Sequence, residues 1–194
     1  MIYNDIKTVF LNKADITISP LEIAARLKTK VGYKSDLTEK LKSELLEIIA
    51  PKFCYAKSSV SFEDEGFVVF DFGKIKSYDL TENLKNSKSA YILAATLGIN
   101  VDRFIAKQTV LSKASGFIAD AISSAAAEAV CDYADNYLRA GKGPVRFSAG
   151  YGDMDIKYQK DILNRLSSMQ TVGIGLTESY LMTPQKSITA ILGV

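Results

Sequence analysis

The stretch AISSAAAEAVCDYADNYLR, residues 121–139, decides how this chain folds. It closes a longer segment, from Asn100 to about Arg139, in which apolar residues recur every three, four or seven positions, as on one face of a helix. The small side chains of its middle, SSAAAEAV, let a helix, a sheet or a ligand approach closely. The sequence therefore predicts long helices in close contact with their neighbours, with a break between Gln108 and Ser112.

Two shorter helices are predicted before this segment. Ser19 and Glu22 match the capping box that begins a helix, and this helix should run to about Lys30. A second amphipathic helix lies within residues 36–52 and should end before Pro51, because a residue that precedes proline disfavours the helical conformation.

Three other parts of the chain have the composition of β-strands. Residues 53–62 and 67–76, rich in aromatic and β-branched side chains, flank the turn EDEG and predict a β-hairpin. The run YILAATLG, residues 91–98, predicts a buried strand. Residues 172–194 predict a strand, a turn that contains Pro184 and a return strand. Because hairpins and helices are segregated along the chain, we expect an α+β fold with a largely antiparallel twisted sheet, flanking helices and an N-terminal helical segment.

The length of 194 residues fits a single domain over residues 1–194. No repeat, low-complexity linker or clear boundary divides the sequence. The first 50 residues could form a helical subdomain.

The composition excludes several classes of function. The 24 basic and 22 acidic residues are balanced and no long basic run occurs, so we expect no nucleic-acid partner. The chain has no histidine, which removes histidine-based triads and the common zinc sites. Any difficult chemistry should therefore depend on a bound cofactor.

The two cysteines and the apolar runs bear on localisation. Cys54 and Cys131 lie among apolar neighbours without a CxxC spacing, so we interpret them as reduced core residues. The N-terminal MIYNDIKTVF lacks the pattern of a signal peptide. The longest apolar run, AYILAATLGI, is shorter than the ~20 residues that cross a bilayer. We expect a cytoplasmic protein that does not enter the membrane.

The stretch RFSAGYGDMDIKYQKDIL, residues 146–163, contains the candidate site. One interpretation is an ordinary loop before a helix, with Asp153 or Asp155 as the helix cap. The other is a ligand cradle, in which Arg146 binds an anion, Tyr151 points at the ligand and the flanking glycines give clearance.

Together with AATLGINVDR (residues 94–103) and the alanine-rich helix, this stretch and the later TESYLMTP resemble the activation domain of vitamin B12-dependent methionine synthase. The resemblance is closer still to small standalone relatives of that domain, and it covers roughly Ala90 to Val194. Its most specific part is Arg-x-x-x-Gly-Tyr, followed by a helix and by Thr-Glu-Ser-x-x-Met-x-Pro.

The resemblance implies a function in reactivation. Activation domains bind S-adenosylmethionine and present its methyl group to cobalamin that has fallen into the Co(II) state. A flavodoxin- or ferredoxin-type donor supplies one electron, and methyl transfer traps the reduced cobalt. The cobalamin belongs to the corrinoid-binding modules of methionine synthase, which are the implied partners. The protein itself contributes positioning and electrostatics, which a sequence without histidine can provide.

The resemblance also implies roles for particular residues. Arg146 matches the family arginine that holds the ligand carboxylate, and Ala149 stands where the family offers backbone contacts. Gly150 matches the glycine that lets the backbone approach the ligand. Tyr151 matches the tyrosine near the site of methyl transfer, and its ring could face the sulfonium cation.

Two carboxylates are weaker candidates. Glu128, on the alanine-rich helix, could bind the ligand's amino group or be a solvated helix residue. Glu178 falls in a predicted strand, where it is either a ligand group or the partner of a buried cation.

The sequence also departs from the family. The C-terminal extension of the full-length domain has no counterpart after SITAILGV, and neither does its N-terminal acidic ligand group. We therefore expect weak binding of S-adenosylmethionine when no partner is present. Two alternatives to a methionine synthase subunit stay open: a non-catalytic escort of a corrinoid protein, and a reactivator of another corrinoid methyltransferase.

Overall fold

The computed structural model describes residues 5–30 and 35–194. Its helices are α1 (Pro20–Leu27), α2 (Asp36–Ile48), α3 (Tyr78–Leu84), α4 (Asn100–Leu111), α5 (Lys113–Arg139), α6 (Gln159–Arg165) and α7 (Ser168–Thr171). Its strands are β1 (Lys7–Phe10), β2 (Lys52–Ser59), β3 (Ser61–Glu63), β4 (Phe67–Phe70), β5 (Gly73–Lys76), β6 (Ser89–Thr96), β7 (Gly175–Leu176), β8 (Met182–Thr183) and β9 (Ser187–Gly193).

The main sheet has four strands in the order β1-β2-β6-β9, and each neighbouring pair is antiparallel. Smaller antiparallel sheets are formed by β3-β4-β5 and by β7-β8. Mixed helices and antiparallel sheets make this an α+β fold, as the segregated pattern predicted.

Both faces of the main sheet are covered. Successive side chains of a strand point to opposite faces. Leu93 and Ala95 of β6 therefore join the core that contains α5, whereas Ile92 and Ala94 join a second core with α6. This double burial explains why β6 is apolar at nearly every position, as expected for the run YILAATLG.

The alanine-rich helix is the largest element on the first face. Its buried side chains are mostly small, including Ala119, Ala125, Ala126 and Ala134, so the helix lies close to the sheet. The predicted break occurs at Ser112, whose hydroxyl accepts a hydrogen bond from the backbone N–H of Ser115 and caps α5.

The N-terminal helices complete the same core. Ile23 of α1 and Leu41 and Leu45 of α2 are buried with the residues of α5, and β1 pairs with β2 of the main sheet. The helix α1 ends at Leu27, because Lys28 adopts the left-handed conformation at φ 54°. The proposed division of residues 1–50 from the remainder stays a prediction.

The predicted hairpin of residues 53–62 and 67–76 is wrong in its pairing. The first run is divided: β2 joins the main sheet beside β6, and only the short β3 pairs with β4 across the EDEG turn. The return strand predicted near the C-terminus is likewise β9, which pairs with β6 and not with the strand before Pro184. Within the described residues, no helix combines the length and apolarity that crossing a membrane requires.

Gly116 shows how tightly α4 and α5 cross. A Cβ atom placed there would lie 2.7 Å from the Cα atom of Thr109, which is closer than real contacts allow. Replacing a helical glycine by alanine ordinarily stabilises by about 1 kcal/mol. We expect Gly116→Ala instead to lower the free energy of unfolding by about 1–2 kcal/mol, because overpacking costs more than the propensity gain. Urea unfolding measures this, with the neighbouring Ser115→Ala as the control that should not destabilise. An unchanged or higher stability for Gly116→Ala would contradict the close crossing.

Candidate functional site

The loop after Arg146 lies along the outer edge of β9. Phe147 and Ile191 exchange two backbone hydrogen bonds of 3.0 and 2.7 Å, and the Ser148 hydroxyl donates to the carbonyl of Thr189 at 2.6 Å. The loop is therefore anchored to the main sheet at its start.

The two glycines are required by the backbone of this loop. Gly150 has φ +87°, and its N–H donates to the carbonyl of Met154. Gly152 has φ +53°, and a Cβ atom there would clash with the Asp79 carboxylate. These left-handed conformations favour glycine. They account for both glycines before any ligand is considered.

The two predicted helix caps serve different elements. Asp155 accepts from the backbone N–H of Lys157 and caps the short 3-10 turn that precedes α6. Asp153 caps α3 instead: it accepts from the N–H groups of Tyr78 and Asp79 and from the hydroxyl of Ser77. The hydrogen bond from Ser77 lowers the pKa of Asp153 below its ordinary value. This loop is thus held to α3 as well as to β9.

A cavity of about 760 Å³ lies between this loop, α5 and the segment around β8 and β9, and we call it the Arg146 cavity. Four of the predicted site residues line it, namely Glu128, Arg146, Ala149 and Tyr151. Gly150 shapes the loop without lining the cavity. The structure does not bring Glu178 to the lining.

The position of Glu178 differs from the sequence expectation. The residue lies in an exposed turn between β7 and β8, not in a strand. Thr177 and Leu181 close that turn through a backbone hydrogen bond of 2.9 Å, and Tyr180 adopts φ 62°. The two strands are only two residues long each, so the predicted strand ends before it reaches Glu178.

Arg146 is held by two carboxylates of α5. Its guanidinium donates to Asp132 at 2.6 Å and to Glu128 at 2.8 Å. Burial opposes the positive charge, but the hydrogen bond to Asp132 and the nearby carboxylates outweigh it and raise the pKa of Arg146. The sequence predicted an arginine free to bind an anion. The structure shows one whose two terminal nitrogens already have acidic partners.

Glu128 connects three elements. One carboxylate oxygen accepts from Arg146, and the other lies 3.5 Å from the guanidinium of Arg26 on α1. Glu128 is partly buried and lines the cavity, so it is not the freely solvated helix residue of the alternative interpretation.

Among the residues that the structure describes, the backbone N–H of Ala149 is a donor without a protein partner. The neighbouring N–H groups of Gly150 and Tyr151 donate inside the loop, and that of Phe147 donates to Ile191 of β9. No hydrogen bond to the Ala149 N–H occurs among residues 5–30 and 35–194, although the residue is buried. Because Ala149 lines the cavity, its N–H can donate to a ligand acceptor there.

The mouth of the cavity is apolar and exposed. Tyr151 lies at one side of this mouth, and 65% of the residue is exposed. Four further exposed apolar side chains line the cavity with it, and together they form what we call the apolar rim: Val145, Tyr151, Ile156, Tyr180 and Leu181.

Sequence reasoning missed several polar residues of the lining, among them Gln159, Thr189 and Lys186. Gln159 is almost fully buried, and its amide donates to the Thr189 hydroxyl at 2.9 Å. Lys186 donates to Asp120 at 2.7 Å and to Ser124 at 2.9 Å on α5. The available signal was a lysine directly before the apolar strand SITAILG, but its partners lie more than 60 positions earlier.

The cysteines and acidic residues that the structure describes form no metal site. Among the described residues, no three acidic, cysteine or histidine side chains are grouped closely enough to bind a metal ion. Burial raises the pKa of Cys54 to about 11 and that of Cys131 to about 12. Neither thiol is therefore a thiolate at neutral pH.

Comparison with solved structures finds this fold in a crystal structure of the MetH reactivation domain bound to AdoHcy. The TM-score is 0.69, over 97% of this chain and 78% of that chain. The sequences are 13% identical, so the likeness establishes the fold alone. No family model and no curated protein gave a significant match.

The pairing of Arg146 generates a prediction about stability. Arg146→Ala removes two charge-assisted hydrogen bonds, and partial exposure of the three side chains reduces their worth. We expect the free energy of unfolding to fall by about 1–3 kcal/mol.

Chemical unfolding of Arg146→Ala, Glu128→Gln and the double variant measures this coupling. Arg103→Ala is the control, because Arg103 is exposed and has no ion pair among the described residues. Strictly additive effects of the two substitutions would show that Arg146 and Glu128 do not stabilise each other.

Proposed function

We propose that this chain is a cytoplasmic accessory subunit that binds S-adenosylmethionine in the Arg146 cavity and supports reductive methylation of the Co(II) cobalamin of a B12-dependent methionine synthase. One observation carries the proposal. Arg146, Ala149 and Tyr151 of the Arg-x-x-x-Gly-Tyr stretch line one cavity together with Glu128, in a fold shared with a reactivation domain crystallised with AdoHcy.

The cavity suits such a ligand in size and in chemistry. Its volume of about 760 Å³ lies within the range of roughly 300–1,000 Å³ that is usual for small-molecule sites. Glu128 offers a carboxylate to the ligand's ammonium, and Arg146 and Lys186 offer cations to its carboxylate. The N–H of Ala149, which has no protein acceptor among the described residues, offers one more donor.

S-adenosylmethionine supplies an electrophilic methyl group, and a flavodoxin- or ferredoxin-type protein supplies the electron that prepares the partner's cobalamin to accept it. The residues of this chain need only hold and orient the ligand. Glu128 and Arg146 are hydrogen-bonded to each other, so their negative and positive charges are held in place before the ligand binds. The ring of Tyr151 at the mouth can face the sulfonium cation, an attraction of about 0.5–2 kcal/mol.

The apolar rim favours a protein partner over the cavity. Exposed apolar side chains grouped around a cavity mark interaction surfaces. A corrinoid-binding module that covers this rim would exclude water from the ligand. The rim also supports the second candidate, a non-catalytic escort, because it could bind such a module without S-adenosylmethionine. A reactivator of another corrinoid methyltransferase would use the same rim and cavity.

Tyr151 should affect the reaction more than binding. We expect Tyr151→Ala to lower the rate of methyl transfer to a corrinoid partner at least tenfold, with a change in the Kd for S-adenosylmethionine of only about threefold. Calorimetry measures the Kd, and absorbance follows cobalamin methylation with a low-potential donor. Tyr78→Ala is the matched control, since Tyr78 is exposed and lies outside the cavity lining. If Tyr151→Ala changed only the Kd and not the rate of methyl transfer, Tyr151 would line the pocket without orienting the methyl group.

A partner should complete the site. We expect the Kd for S-adenosylmethionine to fall at least tenfold when a Co(II) corrinoid module is present, and by linkage the ligand should tighten partner binding by the same factor. Calorimetric titrations with and without the module measure both. Leu181→Ser, on the rim, should weaken binding of the module more than it changes the Kd for the ligand alone, because Leu181 is mostly exposed.

Equal ligand affinity with and without the module would contradict a composite site. Module binding without any ligand binding would favour the escort function.

A further inference from the structure

The helices α4 and α5 meet at a tip that exposes large apolar side chains. Val110 and Leu111 end α4 and are 87% and 68% exposed, and Phe117, in the second turn of α5, is 57% exposed. Single exposed apolar residues are common on protein surfaces, but three large ones within a short stretch are not. We call these three residues and the flanking Lys107 and Lys113 the α4–α5 tip.

The crossing of the two helices holds the apolar side chains of the tip together. Gly116 and Thr109 are so close that a Cβ atom on Gly116 would lie 2.7 Å from the Cα atom of Thr109. Val110 and Phe117 each follow one of these residues, so their Cα atoms lie within about 12 Å of each other. The patch therefore has a fixed position, because a tight crossing leaves the two helices little freedom to slide.

Phe117 lies on the same face of α5 as the lining of the cavity. It precedes Ser124 and Glu128 by close to two and three complete helical turns. At ~1.5 Å per residue, Phe117 lies about 16 Å from Glu128 along the helix axis. Between them Lys186, which lines the cavity, binds Ser124. The tip is therefore continuous with the surface that surrounds the cavity.

The charge of the tip has one sign. Residues 103–119 contain three basic residues and no acidic one. Lys107 and Lys113 are exposed and form no ion pair among the described residues. Glu44 of α2 reaches this segment only on its buried side, at Gln108. Exposed apolar side chains beside uncompensated lysines are complementary to a protein surface that is apolar at its centre and acidic around it.

The apolar rim alone is too small for a stable protein partner. The rim has five residues, whereas a stable interface buries about 800 Å² and roughly 20–30 residues on each side. A round patch of that area extends ~16 Å from its centre, which equals the separation of Glu128 and Phe117 along α5. A corrinoid-binding module centred on the cavity therefore reaches the tip, and any other protein bound there would compete with it for space.

We infer that the α4–α5 tip is a second contact for the corrinoid-binding module, at which the three apolar side chains bind an apolar patch of the module and the two lysines bind carboxylates beside it. This inference rests on the proposed function, in which that module covers the cavity. The tip lies outside the cavity lining, so it contributes to affinity for the partner and not for the ligand. Two separated contacts also fix the rotation of the module over the cavity, which one contact does not.

Substitutions at the tip separate binding of the partner from binding of the ligand. We expect Phe117→Ser and Leu111→Ser each to raise the Kd for the Co(II) corrinoid module about 5- to 30-fold, because each removes an apolar contact from the interface. The Kd for S-adenosylmethionine alone should stay within about twofold. Calorimetry measures both constants. Phe10→Ser should change neither, because Phe10 is an exposed phenylalanine on β1, outside the tip and the rim.

Charge reversal tests the lysines independently. The double variant Lys107→Glu/Lys113→Glu should slow association with the module about tenfold at low salt, and the difference should shrink as salt screens the charges. Stopped-flow mixing measures the rate. The control Lys88→Glu/Lys160→Glu changes the net charge equally at exposed positions outside the tip and should slow association less than about threefold. Because all four side chains are exposed, these variants test the tip even if an apolar variant does not fold, as judged by its melting temperature.

Each contrary outcome overturns the assignment of the tip. One is module binding that Leu181→Ser weakens and every tip variant leaves unchanged. Unchanged module binding with slower cobalamin reduction by the donor would assign the tip to the electron donor. Unchanged module binding with loss of self-association in sedimentation would assign it to a second copy of this chain. All three results leave the proposed function standing, whereas a wild-type chain that binds neither the module nor S-adenosylmethionine overturns the proposed function together with this inference.

Discussion

The packing of the alanine face of α5 against the main sheet is the constraint on which the other features depend. Side chains as small as Ala125 and Ala126 bring the helix axis close to β6 and β9. Close packing there fixes the rotation of the helix, because any turn about its axis would drive larger side chains into the sheet. With the rotation fixed, the polar side chains of Ser124 and Glu128 on α5 must emerge on the side where the loop of residues 146–155 returns.

The candidate site is therefore built on a closely packed helix, to which the loop of residues 146–155 is attached by hydrogen bonds. Glu128 ties α5 to both Arg146 and Arg26, so one carboxylate joins the helix, the loop and the N-terminal segment. Asp153 ties the far end of the same loop to α3. Groups held in this way lose little freedom when a ligand arrives, which is the condition for precise positioning.

Local patterns were sufficient for much of the fold. The capping residues at Ser19, the helical periodicity through α4 and α5, and the apolar run of β6 each concern contacts within a few positions of the chain. Strand pairing was not predictable in the same way. β2 prefers β6 to its neighbour β4 because the main sheet buries both of its faces, a gain that no short window of sequence contains. The turn that holds Glu178 was not predicted either. The strands β7 and β8 end after two residues each, and no short window of sequence contains that limit.

By itself the sequence, through the family resemblance of the Arg-x-x-x-Gly-Tyr stretch, predicted site residues of which Arg146, Ala149, Tyr151 and Glu128 line one cavity. Only the tertiary structure decided how their charges are distributed. Whether Arg146 is free or paired depends on Asp132, 14 positions away on a different element, and the presence of Lys186 depends on the register of β9 beside β6. Electrostatic interactions act through space and not along the chain, so a motif names the charged groups but cannot state which of them are already neutralised.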